Sequence, residues 1–184
     1  MYENLKETQK KSTLIYKGKI LDLYKDDISL PDGNDGIREY IMHVGAACIV
    51  PVKENGNVII EKQFRYPFHT VLTEIPAGIL DSKSEDPEKA AARELKEETG
   101  YTADNLIYLG DFYPTCAYSD ENIRMYLAWG LKKGETNLDE DEFLGIEEKP
   151  LDELIKDVMS GKIKDGKTQA ALLKAYYYIN SHKE

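Results

Sequence analysis

The chain of 184 residues has few cysteines, no long apolar run and no excess of positive charge, and each absence excludes a class of protein. Two cysteines, Cys48 and Cys116, are too few for a disulfide framework, so we expect a cytoplasmic protein. No apolar run reaches the length of a membrane span, and the N-terminal MYENLKETQKK lacks the apolar core of a signal peptide. The net charge of −10 argues against a nucleic-acid or membrane partner. An anionic substrate would therefore need bridging metal ions and local Arg or Lys.

The length and the order of predicted elements indicate one α+β domain with an added element at its N-terminus. Residues 1–45 are interpreted as a β extension that acts as a dimerisation arm, and residues 46–184 as the main domain. An Asn-Gly pair in the turn Glu54–Asn57 predicts a hairpin between the third and fourth strands. The predicted strands are Ile20–Leu30, Ile37–Val44, Ala46–Val52, Val58–Phe64, Val71–Ile75, Leu106–Asp111 and Ile123–Leu131, and two later helices are Leu151–Ser160 and Lys167–Ser181.

A further short helix is predicted between Asp86 and Gly100. Asp86 is a good N-cap, Pro87 suits the first helical position, and Gly100 fits just past the end. An apolar arc predicted to pack on the core consists of Ala91, Ala92 and Leu95.

Three carboxylates, those of Glu94, Glu97 and Glu98, fall within an arc of about 100° on this helix. Like charges at this spacing cost a few tenths of a kcal/mol per pair, and acids in the last turns oppose the helix dipole. A hard cation such as Mg²⁺, which prefers oxygen ligands, would turn the repulsion into a binding site. A solvated acidic face is the alternative, and spacing alone does not separate the two interpretations.

Five segments outside the helix have a functional interpretation, a structural interpretation, or both. In QFRYP, Arg65 can offer a bidentate fork to a diphosphate or form a surface ion pair. In EIPAG, the Ala77 carbonyl can serve as an oxygen ligand. In SDE, Glu121 can act as a base, or simply be a solvated acid after a turn. GKIKDGKT is interpreted as a turn with helix capping, and the acidic run LDEDEF of residues 138–143 as a solvated loop.

The string GILDSKSEDPEKAAARELKEETGY, from Gly78 to Tyr101, resembles the Nudix box of hydrolases that cleave nucleoside diphosphates linked to another moiety. Glu85 lies eight positions before Arg93 as in that pattern, whereas Gly78 precedes Glu85 by seven positions instead of six. The flanking segments are similar to the ADP-ribose pyrophosphatase branch of the family, and they are GKILDLYKDDISLPDG, the REY…H run from Arg38 to His43, QFRYP, EIPAG, SDE and GKIKDGKT. The resemblance implies a Nudix fold, in which a mixed β-sheet is sandwiched between helices.

The same resemblance implies a role for each matching residue in metal binding and catalysis. Mg²⁺ or Mn²⁺ would be bound by Ala77 through its carbonyl together with Glu94, Glu97 and Glu98. Glu121 would be the general base or a further metal ligand, with Glu97 as the alternative base. Arg93 would pair with Glu85 and hold the acidic cluster in register.

Substrate-binding roles are implied for residues outside the box. Arg65 would contact the diphosphate, and Arg38 and Glu39 would reach the ligand from the partner subunit of a homodimer. Tyr24 would stack on adenine, with Tyr16 and Tyr66 as alternatives.

The implied reaction is metal-dependent hydrolysis of ADP-ribose to AMP and ribose 5-phosphate. Two alternatives remain open at this point: a Nudix hydrolase of another nucleoside diphosphate sugar or nucleotide, and a non-catalytic ADP-ribose sensor. The presence of all three helix acids favours an enzyme.

Overall fold

A computed structural model describes residues 2–19, 21–136 and 143–182, which form three α-helices and three β-sheets. Ile20, the predicted start of one strand, and all of the predicted acidic loop except Phe143 lie outside the described residues. The helices are α1 (Pro87–Thr99), α2 (Leu151–Met159) and α3 (Gly166–Ser181). The strands are β1 (Thr8–Lys17), β2 (Asp22–Ser29), β3 (Asp35–Met42), β4 (Ala46–Pro51), β5 (Asn57–Arg65), β6 (Thr70–Glu74), β7 (Ala77–Ile79), β8 (Tyr101–Phe112), β9 (Ile123–Lys133) and β10 (Leu144–Pro150).

The first three strands form an antiparallel N-terminal sheet in the order β1-β2-β3. The sequence predicted β2 and β3 but missed β1, because every residue of Thr8–Lys17 is exposed and no apolar alternation marks a buried face. Among the exposed side chains of β1 are Leu14, Ile15 and Tyr16. The sheet ends at Met42, and the division of the chain at residue 45 stays a prediction.

The central sheet has the order β7-β4-β9-β8 and is mixed, as predicted, with β4 parallel to β9 and the other pairs antiparallel. All six residues of β4 are buried, which is typical of a strand covered on both faces. Helix α1 packs on one face through Ala90, Ala91 and Leu95. Helices α2 and α3 cover the other face through residues that include Leu154 and Leu172. The molecule is therefore a sheet between helices, as the α+β prediction required.

The predicted hairpin between β4 and β5 is wrong beyond its turn. Gly56 has φ +80° and donates its N–H to the Lys53 carbonyl at 2.9 Å, so the Asn-Gly turn is present. The flanking strands meet only at the isolated bridge between Val52 and Val58. They then enter different sheets, because β4 is enclosed between β7 and β9 while β5 pairs with β6 and β10.

Helix α1 begins and ends as predicted. The Asp86 side chain accepts the N–H of Glu88 at 3.0 Å, and Gly100 closes the helix with φ +74°. One packing residue was wrong: Ala92 is exposed, and Ala90 occupies the buried position instead, because the sheet covers an arc shifted along the helix surface. Within the described residues, no helix combines the length and apolar character needed to cross a membrane.

Candidate active site

A cavity of about 800 Å³ opens between β7, the Glu121 loop and the start of α3. Apolar groups form much of its wall, which includes Phe68, Phe112, Ala77 and Gly78. Polar side chains converge on it from distant parts of the chain, as is typical of ligand sites. They are His43, Arg65, Glu74, Glu121, Lys164, Asp165 and Lys167.

Two of the three helix acids lie directly behind the Ala77–Gly78 segment of this wall. Glu98 accepts the backbone N–H of Ala77 through Oε2 at 3.0 Å. The Glu94 carboxylate lies so close to Gly78 that a Cβ on that glycine would be 1.9 Å from Oε1. Both carboxylates are buried, at 8% exposure for Glu94 and 4% for Glu98. Helix α1 therefore brings two carboxylates against the one strand segment that the sequence associated with metal binding.

Arg93 ties the acidic cluster together. Its Nη1 donates to Glu94 Oε1 at 2.7 Å and to Glu97 Oε2 at 3.1 Å. Its Nε lies 3.5 Å from Glu85 Oε1, so the predicted pairing is present despite the extra residue in the preceding loop. Partial burial alone would lower the pKa of Arg93, but the surrounding carboxylates outweigh it and raise the pKa. The guanidinium is therefore a permanent positive charge inside the cluster.

The donor chemistry of the cluster fits a divalent cation, although the carboxylates are not gathered around one point. No three His, Cys, Asp or Glu side chains converge into a metal-holding group in the part of the chain that the structure describes. Arg93 contacts the carboxylates of Glu85, Glu94 and Glu97. Carboxylate and carbonyl oxygens are the donors that Mg²⁺ and Mn²⁺ prefer.

Two cations that line the cavity, Arg65 and Lys167, share a buried carboxylate. Glu74, only 2% exposed, accepts from Arg65 Nε and Nη2 at 2.7 Å each and also from Lys167 Nζ. Burial opposes ionisation of Glu74, but the hydrogen bonds from Arg65 and Lys167 outweigh it and lower the pKa of Glu74. Asp165 holds Lys167 at 3.1 Å and caps α3 through the Thr168 N–H.

Part of the Arg65 guanidinium is already occupied by this network. The residue lines the cavity as predicted, but the edge formed by Nε and Nη2 is occupied by Glu74. The predicted contact of Arg65 with a diphosphate stays a prediction. The carboxylates of Glu74, Asp165 and Glu98 outweigh the effect of burial and raise the pKa of Arg65, with the Glu74 hydrogen bonds as the largest cause. The Glu98 carboxylate therefore lies close enough to Arg65 to affect the pKa of its guanidinium.

Glu121 lines the cavity from the loop before β9. Its side chain is 27% exposed, and its Oε1 lies 4.0 Å from His43 Nδ1. The preceding Ser119 accepts the backbone N–H of Glu121 through Oγ at 3.1 Å. The loop therefore presents a partly exposed carboxylate to the same cavity as Ala77 and Gly78.

Three predicted substrate-binding residues lie outside this cavity within one chain. Arg38 pairs with Glu7 through Nε at 3.0 Å, and Glu39 is an exposed residue of the same strand β3. Tyr24 stacks on Tyr40 with ring centroids 5.9 Å apart. The contacts of Arg38 and Glu39 with ligand of a partner subunit and the stacking of Tyr24 on adenine stay predictions.

Sequence reasoning missed several cavity residues. Lys164 lines the cavity, and no carboxylate of the described residues pairs with it. Lys164 and Lys167 lie three positions apart in GKIKDGKT, beside the start of a helix. This spacing was a usable signal that both could face one site. Phe68, 73% exposed and part of the wall, follows the QFRYP motif directly. His43 ends the run from Arg38 to His43 that resembles the ADP-ribose pyrophosphatase branch, but its place in the cavity could not be predicted because its neighbours in space come from a distant loop.

Known protein families and relatives match most of the chain. Residues 42–171 match the family model of the NUDIX domain, and residues 7–41 match that of the nucleoside diphosphate sugar hydrolase N-terminal domain. The chain is 42% identical over 160 residues to an ADP-ribose pyrophosphatase of Bacillus subtilis, covering 86% of each chain. It is 38% identical over 164 residues to a methanol dehydrogenase activator of Bacillus methanolicus, covering 88% of each.

The fold is also shared with a crystal structure of an ADP compounds hydrolase, with a TM-score of 0.84 over 96% of this chain and 95% of that one. At 20% identity, this likeness concerns the fold alone.

Proposed function

The chain belongs to the Nudix family of hydrolases, and from that premise we propose that it hydrolyses ADP-ribose to AMP and ribose 5-phosphate. The observation that carries the proposal is the placement of Glu94 and Glu98 against the Ala77–Gly78 wall of a cavity that also holds Arg65, Lys164 and Lys167. The carboxylates suit a divalent cation, and the cations suit a diphosphate. The similarity to an ADP-ribose pyrophosphatase supports the choice of substrate.

We propose that Ala77, through its carbonyl, and Glu94, Glu97 and Glu98 hold Mg²⁺ or Mn²⁺. A bound divalent cation supplies charge neutralisation at the diphosphate and lowers the pKa of a bound water. Arg93 keeps the carboxylates in place through its contacts with Glu94, Glu97 and Glu85. Without this guanidinium the acids on one helix turn would repel one another.

Glu121 is the proposed general base, with Glu97 as the alternative. Glu121 faces the cavity and can accept the proton of the attacking water, which then adds to one phosphorus as the bridging P–O bond breaks. Glu97 accepts a hydrogen bond from Arg93 and is not among the residues that line the cavity, so its position favours a role in metal binding over one as the base. Arg65 through Nη1, together with Lys164, would bind the diphosphate oxygens.

We propose a homodimer in which the N-terminal sheet contacts the partner. Strand β1 is ten residues long, fully exposed and lies at the edge of its sheet, and such an edge favours pairing with another chain. In the dimer, Arg38, Glu39 and Tyr24 would reach the partner's ligand. A monomeric mass by light scattering would contradict this arrangement. A cytoplasmic location is also proposed, because Cys116 is an exposed free thiol.

A substrate panel tests the reaction. Purified protein with Mg²⁺ is incubated with ADP-ribose, other nucleoside diphosphate sugars and nucleoside triphosphates, and the products are identified by chromatography. We expect ADP-ribose to be turned over with the highest kcat/KM and to give AMP. Preferred turnover of a non-adenine sugar would replace the substrate and leave the diphosphatase chemistry in place. Tight ADP-ribose binding without turnover would favour the non-catalytic sensor.

A further inference from the structure

The loop that carries Glu121 is bound along its length to the end of the N-terminal sheet. The Ile41 N–H donates to the Tyr118 carbonyl at 2.9 Å, and the Asp120 N–H donates back to the Ile41 carbonyl at 3.2 Å. Beyond Glu121, the Ala46 N–H donates to the Asn122 carbonyl at 3.0 Å. Residues 41–46 therefore run beside residues 118–122, and a parallel bridge joins Ile41 to Ser119.

One side chain strengthens this connection at the residue next to Glu121. The Asp120 carboxylate accepts the backbone N–H of His43 through Oδ1 at 2.6 Å. This hydrogen bond is short and charge-assisted, which is the stronger class of hydrogen bond. It also spans 77 residues of sequence, so it fixes the loop to a separate part of the fold.

The same contact places the ring of His43 beside Glu121. The Nδ1 atom of His43 accepts the Gly45 N–H at 3.0 Å and lies 4.0 Å from Glu121 Oε1. The side chain of His43 is only 11% exposed and forms part of the cavity wall. Releasing the His43 backbone would thus move both the loop and the wall against which the Glu121 carboxylate lies.

We propose that Asp120 is a positioning residue, which holds the Glu121 carboxylate in the cavity by binding the His43 N–H. The inference rests on the proposed role of Glu121 as the base. The N-terminal sheet would then help to position the base, in addition to its proposed role in dimerisation. The bound segment 41–46 begins in β3, where the two family matches adjoin. A displacement of the base by about 1 Å is enough to lower kcat by up to about 100-fold.

The test compares Asp120→Ala with Asp120→Asn. Asparagine keeps an oxygen that can accept the His43 N–H, whereas alanine removes the acceptor. We expect Asp120→Ala to lower kcat on ADP-ribose by about 10- to 100-fold while KM changes by less than about 3-fold. Asp120→Asn should restore most of the lost kcat. Asp104→Ala is the matched control, because Asp104 is an exposed acid that pairs with Lys132 on β9.

A double-mutant cycle with Glu121→Gln distinguishes the positioning role from other effects. If Asp120 acts through Glu121, adding Asp120→Ala to Glu121→Gln causes no further loss of kcat. An equal loss in both backgrounds would overturn the proposal, and so would an Asp120→Ala variant as active as Asp104→Ala. Both results would leave the proposed hydrolase activity intact. Near-normal turnover by Glu121→Gln would instead remove the base assignment and this inference together.

Discussion

Replacing Gly78 by alanine tests whether the position of the Glu94 carboxylate matters for activity. Gly78 does not have a positive φ, so alanine is compatible with its backbone conformation. The added Cβ, however, would lie 1.9 Å from Glu94 Oε1 and 2.0 Å from its Cδ. The substitution therefore acts first on the Glu94 carboxylate and, through it, on the hydrogen bond from Arg93.

The size of the effect follows from these distances. Ordinary contact begins at 3.4 Å, so the Glu94 carboxylate must retreat by about 1.5 Å, the difference between 3.4 and 1.9 Å. Since the carboxylate is the far end of a flexible side chain, the fold should accommodate the change at a cost of about 1–3 kcal/mol. A displacement of this size in a catalytic group lowers activity by about 100-fold.

The assay is kcat on ADP-ribose at several Mg²⁺ concentrations, with thermal unfolding measured in parallel. We expect a large loss of kcat and a higher Mg²⁺ requirement in a folded protein. Gly145→Ala is the matched control, because a Cβ there meets its nearest neighbour, the Cβ of Lys62, at 3.4 Å. Activity of Gly78→Ala within about 3-fold of the Gly145→Ala control would refute the assignment of Glu94.

Two further substitutions test other charged residues that line the cavity, Glu74 and Lys164. Glu74→Gln should destabilise the fold by about 3 kcal/mol, the low end for a buried ion pair because Arg65 is partly exposed. The pKa of Glu74 is lowered in the folded protein, so the stability that its carboxylate contributes is present above its ordinary pKa of 4.5 and is lost as the pH falls through the folded pKa. The free energy of unfolding in urea should therefore fall less at acidic pH in the variant than in the wild type. Lys164→Ala should raise KM for ADP-ribose about 10-fold. The control Lys162→Ala removes an exposed partner of Asp157 and should leave KM unchanged. Equal KM values for the two variants would contradict the role of Lys164.

The acidic helix could be predicted from sequence because its determinants are local. Asp86 and Gly100 mark its ends, and the spacing of its acids sets which side chains share a face. The contact between Arg93 and Glu85 also followed, since the extra loop residue is absorbed without moving Glu85 away. Ala92 was misplaced because the buried arc depends on where the sheet lies, and helical periodicity does not contain that information.

The rest of the site depends on contacts between residues that are far apart in sequence. Glu74 and Lys167 are 93 positions apart, and His43 and Asp120 are 77 apart. Neither pair has a local pattern, since each forms only when separate strands and loops are brought together by the fold. Strand β1 was missed for a different reason, because its residues bury no face and so carry no apolar alternation. The pairing of β4 with β5 is short because the two strands enter different sheets.

The most direct test of the central claim is the rate of AMP release from ADP-ribose by wild-type protein and by Glu98→Gln, with Mg²⁺ present. Glu98 is buried and accepts the Ala77 N–H, so the amide should preserve the fold while removing a negatively charged oxygen donor from the proposed metal site. We predict a rate lower by about 100-fold or more in the variant, with an unchanged melting temperature. Near-wild-type AMP release by folded Glu98→Gln would contradict the claim that the α1 carboxylates hold the catalytic metal.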